Sequence, residues 1–171
     1  VLEYYDRLGY DIVTFTNHNK LTTHPKGEEY QANGYEHGYN LFKFHKLTFG
    51  VDETWGVDHI FPIFTSQKQF QLIQLLGDAD IVQVNHPLRT PTLSKKQLEQ
   101  LCGYKLIELD SGKSTENEYW DWALSAGKYS FGLANDDLHY PDHTYRIARR
   151  CNFLCTPSAR YEDVLATLKS G

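Results

Sequence analysis

The sequence predicts an α/β fold of largely parallel strands, and three observations carry that prediction. Short apolar runs of buried-strand type recur along the 171 residues, a polar turn follows most of them, and helical periodicity follows the turn. The alternation implies strands joined by right-handed crossovers. Polar residues follow many of the strands rather than one pair, which favours a closed βα barrel over an open doubly wound sheet.

Composition narrows the class further. With 40% hydrophobic and 23% charged residues, the chain can build one globular domain with a sizeable core. The longest apolar runs, such as residues 72–76, fall far short of the roughly 20 needed to span a bilayer. A net charge of −5, with no basic cluster beyond Arg149-Arg150, argues against nucleic acid as an obligate partner. Three cysteines without CxxC spacing make neither a disulfide framework nor a zinc ribbon; they favour a reducing compartment and packing as small apolar residues. There is no Met, and Val1 to Gly9 reads as the second half of an amphipathic helix ending at a C′ glycine. The expectation is therefore a single domain over residues 1–171, cut at both ends, with a further domain possible beyond residue 171.

The elements follow in order. The β-branched run 11–16 reads as a buried strand that delivers Asn17-His18-Asn19. Residues 20–45 show no sustained period and read as a long loop or cover. Residues 46–51 return to strand character and deliver Asp52 and Glu53, and the apolar run 57–64 carries His59 near its start. Residues 67–76 have helical periodicity with Ser66 as N-cap. The strand 81–84 leads into Asn85-His86-Pro87, where the proline stops it. Ser94 caps a helix through Leu101, strand 106–109 carries Glu108, and a helix over 116–126 closes at Gly127. The strand 129–134 precedes Asn135-Asp136-Asp137-Leu138-His139; residues 152–155 form a last strand and 161–169 a last helix.

Two readings compete for residues 131–139. Asn-Asp-Asp is good turn and N-cap chemistry, and two carboxylates with an imidazole just past a strand are also metal-site chemistry. The wider pattern weighs on the second side. His18, His59, His86, His139, Asp52, Glu108 and Asp137 all fall at or beside strand ends. Imidazole and carboxylate together suit zinc, manganese or iron, and a set this large exceeds what one tetrahedral ion needs. Two or three ions bridged by a carboxylate would use it fully. No phosphate-binding glycine loop, nucleophile elbow or convincing Cys–His pair competes.

These segments resemble the PHP domain of polymerases and histidinol phosphatases. Residues 8–18 are similar to a motif in which a strand ends in Thr-Asp-His, here Thr16-Asn17-His18. Phe49-Gly50-Val51-Asp52 resembles the segment with a bridging Glu, Asp58-His59-Ile60-Phe61 a His-bearing strand, Asn85-His86-Pro87 the His-Pro motif, and residues 135–139 the closing Asp-x-His motif. The resemblance implies a distorted (β/α)7 barrel holding two or three divalent ions (Zn, Mn or Fe). It further implies a phosphoesterase that uses metal-activated water on a small phosphorylated substrate. His18, His59, His86, Asp137 and His139 would be metal ligands and Asp52 the bridging carboxylate, with Glu53 as its fallback; Asp52, His86 and His139 would also serve catalysis. The family's first His-x-His motif would precede Val1, and Asn17 and Asp52 stand where Asp and Glu are usual. Two other functions stay open: a degraded, non-catalytic binding domain, or a metal hydrolase acting on an amide or carbohydrate ester with Tyr35, Tyr39, Trp55 and Trp120 as ring platforms.

Overall fold

The computed structural model describes residues 1–22, 24, 26–27, 33–41, 43–56, 61–89, 93–112 and 117–171. Among these, helix α1 (Leu2–Arg7) is followed by strands β1 (Gly34–His37) and β2 (Lys46–Phe49), helix α2 (Thr65–Asp78) and strand β3 (Ile81–Val84). A 3-10 turn (Pro87–Arg89), α3 (Lys95–Gln100), β4 (Leu106–Asp110), α4 (Asn117–Ser125), β5 (Phe131–Ala134) and α5 (Tyr161–Ser170) complete the order.

The sheet corrects the barrel expectation. It is a single five-stranded sheet in the order β1-β2-β3-β4-β5, mixed in direction and not closed on itself. β1 and β2 pair antiparallel, as do β2 and β3, while β3–β4 and β4–β5 are parallel. The reason is partly chain length: residues 38–45 are too few for the crossover of roughly a dozen or more that parallel neighbours need. The remaining reason is pairing, because a β-branched run supplies propensity but not a partner. Residues 11–16 form no strand, and His18 just beyond them makes an isolated parallel bridge to Glu36 of β1. Residues 152–155 form no strand either; of the expected run 57–64, residues 57–60 lie outside the described residues, and Phe61, Ile63 and Phe64 are exposed.

The parallel half keeps the expected strand–helix alternation. Ser94 caps α3 reciprocally: its hydroxyl accepts from the Gln97 N–H (3.3 Å) and its own N–H donates to Gln97 Oε1 (3.1 Å). In α2 the cap moves from the expected Ser66 to Phe64, because Gln67 Oε1 takes the Phe64 N–H at 3.0 Å. Gly9 follows α1 with φ +80°, the left-handed conformation a C′ glycine supplies without a Cβ penalty. The three cysteines are exposed free thiols, which corrects the expectation that they pack inside.

Alternation along the strands gives each face its own core. One face sends Tyr35, Val82, Val84 and Ile107 against Leu72 and Leu75 of α2, Leu98 of α3 and Ala123 of α4. The other sends Leu47, Phe49, Ile81, Leu106 and Leu133 against Val164, Leu165 and Leu168 of α5. Each such side chain taken from water contributes about 1.5–3 kcal/mol before the entropy of ordering is subtracted.

Candidate metal centre

Strand direction decides what gathers at the polar end of the α5-facing side. β1, β3, β4 and β5 end there and β2 begins there, since His37 pairs with Lys46 and Lys46 with Val84. A cavity of about 950 Å³ opens on this side. His18, Glu36, Asn85, Glu108, Asp137 and His139 line it, together with apolar residues that include Leu47, Phe49, Leu133 and Val164.

Glu36 is the centre of the arrangement. Its side chain is buried, and three imidazoles meet it: His18 Nε2 lies 3.3 Å from Oε2, and His45 Nδ1 and His86 Nε2 lie 3.0 and 3.2 Å from Oε1. His45 Nδ1 and His86 Nε2 are themselves 3.2 Å apart, and Asn85 Nδ2 donates to Glu36 Oε1 at 3.0 Å. Burial by itself disfavours the Glu36 carboxylate, but hydrogen bonds from His45 and His86 and the charges of His45 and His18 hold it well below the usual carboxylate range. Burial lowers His18 and His86, which favours the imidazole form that has a lone pair to give. Among the described residues, His18, Glu36 and His45 can each offer one donor atom within 4.8 Å of the others. A carboxylate among converging imidazoles is a donor set that could hold a metal ion.

Asp137 and His139 stand at the rim. The His139 ring lies 5.8 Å from that of His18, and its Nδ1 is 3.0 Å from the Asp137 carbonyl and 3.4 Å from Asp137 Oδ1. Asp137 Oδ2 takes Arg89 Nη2 at 3.0 Å. His86 and Asp137 both have positive φ, +28° and +49°, conformations that cost of order 1–3 kcal/mol and persist only where the surroundings impose them. Glu108 supplies one such constraint: Oε2 accepts the His86 N–H at 2.8 Å while Oε1 accepts Asn135 Nδ2 at 2.9 Å. Burial pushes Glu108 up to about 8. Asp136 turns the other way and accepts from the Tyr5 hydroxyl (2.5 Å) and from the N–H groups of Ala148, Arg149 and Arg150, tying α1 and residues 148–150 to the end of β5.

Set against the expected residues, the structure gathers His18 and His86 and keeps Asp137 and His139 at the rim. His59 lies outside the described residues. Asp52 is not brought to the others. Because β2 is antiparallel to β3, a residue that follows it comes out at the opposite end of the sheet; Asp52 is exposed and its charge is felt at Tyr161, where α5 begins. Glu53, the fallback, is exposed in the same turn. Asn17 reaches Thr22 Oγ1 at 2.5 Å, and its carbonyl accepts the Glu36 N–H. The residues that sequence reasoning missed are Glu36 and His45, both inside the stretch 20–45 read as a loop. A signal existed for His45, which immediately precedes an apolar run, but a reading built on parallel strands looks only after them. Of the aromatic residues considered as platforms, Tyr35 is buried with its hydroxyl accepting the Trp55 N–H, and Trp120 Nε1 donates to the Ser130 carbonyl, so both serve the core.

No protein-family model matches the chain, and no curated protein matches it. In fold it is similar to the crystal structure of a two-domain protein from Bacteroides vulgatus ATCC 8482 that contains a predicted PHP-like metal-dependent phosphoesterase, with 15% sequence identity and a TM-score of 0.66. The match covers 98% of this chain and 56% of that one, so the chain spans little more than half the length of this neighbour. At that identity the two proteins are alike in fold, and the Glu36 cluster is this chain's own evidence for metal chemistry.

Proposed function

We propose that this chain is a metal-dependent hydrolase domain that cleaves phosphoesters of a small phosphorylated substrate. The observation that carries the reading is the buried Glu36 carboxylate shared by His18, His45 and His86. Glu36 would take the carboxylate role first expected of Asp52, with His18, His45 and His86 as imidazole ligands and Asp137 and His139 completing the set from the rim. Two or three divalent ions would use all of these donors, and such ions supply a water acidic enough to ionise near neutral pH and a clamp for phosphoryl oxygens. The protein's own contribution is placement. Glu108 holds the backbone of His86, and Asn85 holds Glu36 from the side. His139 stands at the exposed rim with Nδ1 turned to the Asp137 carbonyl, which leaves Nε2 as the atom it would offer to an ion. The fold neighbour, a predicted PHP-like phosphoesterase, supports this bond type.

Elemental analysis of the full-length protein, with turnover of p-nitrophenyl phosphate and its bis-ester in added Mn or Zn, tests the reading. We expect near-stoichiometric metal and hydrolysis of at least one ester, both lost together in His139→Ala. A folded protein that carries no metal and takes up none would overturn it.

A further inference from the structure

Around Asp137, three residues carry buried polar atoms without a partner: Arg89 Nε, Ser111 Oγ and Arg146 Nε. The residues that carry them are connected. Arg89 ends the 3-10 turn, its N–H bonding the His86 carbonyl at 2.9 Å, and its Nη2 lies 3.0 Å from Asp137 Oδ2. Arg146 Nη2 lies 3.9 Å from the same oxygen and donates to the carbonyls of Ser111 (2.7 Å) and Asp136 (3.0 Å). Native interiors rarely leave buried donors unused. A guanidinium nitrogen can only donate, and the Ser111 hydroxyl can donate as well, so the missing partner is an acceptor.

Charge identifies what kind of acceptor. Nearby Arg150 is matched by Asp110 at 2.7 Å, whereas Arg89 and Arg146 share the single carboxylate of Asp137. Two guanidinium groups thus contact one carboxylate, and the unpartnered Nε donors lie on those same two residues. Planar guanidinium edges at hydrogen-bond range are the usual partners of phosphate and carboxylate oxygens. We propose that Arg89, Ser111 and Arg146 form a binding site for an oxyanion, distinct from the imidazole cluster, and that the oxyanion is a second anionic group of the substrate. That the site takes an oxyanion stands apart from the hydrolase reading; that the oxyanion belongs to the substrate rests on it.

The test begins with the metal-stripped full chain, titrated calorimetrically with inorganic phosphate. We expect saturable one-to-one binding, weakened about tenfold or more by Arg89→Lys, which keeps the charge but loses the planar fork, and by Ser111→Ala, which removes only a hydroxyl. Circular dichroism confirms that both variants fold. No binding, or binding unchanged in both variants, overturns the site. With metal restored, a phosphoester carrying a second phosphate should show kcat/KM about tenfold above its monophosphate counterpart, and Ser111→Ala should erase that preference. Equal turnover of the two esters overturns the assignment to substrate. Phosphate binding by the stripped chain without turnover of any ester would instead remove the hydrolase reading and leave the oxyanion site standing.

Discussion

Glu36 and His37 are consecutive residues of β1, both buried, and they point to opposite faces of the sheet. Glu36 meets three imidazoles and the Asn85 amide. His37 faces the helical side, stacked on Trp55 with ring centroids 5.1 Å apart at 19°, near Lys46. Burial, then the neighbouring Lys46, lowers its pKa to about 3. One peptide bond separates a histidine that packs as a flat ring from a carboxylate that collects histidines. Burial is common to both, so what marks a candidate ligand set is the shared acceptor.

The sharpest way to break this contrast is Glu36→Gln, which keeps the size and removes the charge. Metal content by elemental analysis should fall to background, and hydrolysis should drop by about 100-fold or more. Retained metal would show that the imidazoles do not depend on Glu36. Next in size is Glu108→Ala, which frees the His86 backbone and Asn135 without touching a donor atom. Metal affinity, measured by competition with a chelator, should weaken roughly 10- to 100-fold.

His37→Phe should leave metal content unchanged and alter only the acid limb of stability. The imidazole titrates near 6.5 when unfolded and near 3 when folded, so its neutral form contributes stability that is complete above pH 6.5 and lost as pH falls towards 3. Urea melts of the wild type should lose about 1.4 kcal/mol per pH unit from this group across that window, and the variant should be flatter. A change in metal content would merge the two faces that the comparison separates. Smallest is Ser94→Ala, distant from both histidine environments. Loss of the reciprocal cap should lower stability by about 1 kcal/mol with metal binding intact.

Legibility followed locality. The Ser94 cap, the C′ glycine after α1 and the apolar stripe of α5 could be read because each depends on residues within a turn of one another. His18, His86, Asp137 and His139 were visible because each follows an apolar run. Glu36 was not, because its strand is four residues long and buried on both sides, which removes the alternation that marks a half-buried strand. His45 was hidden by direction, since it leads into β2 instead of following it. The same antiparallel turn carried Asp52, placed by a plausible sequence match, to the far end of the sheet.

The sequence alone therefore determined the chemical inventory: imidazoles and carboxylates at element ends, the helices and the Ser94 cap of one of them, and strands rich enough in apolar residues to build two cores. Tertiary structure alone decided that the sheet stays open, that its first half runs antiparallel, and that Glu36 is the carboxylate on which His18, His45 and His86 converge. The physical reason is that periodicity reports how one segment meets its surroundings, whereas strand direction and the choice of partner are set by hydrogen bonds between segments distant in sequence.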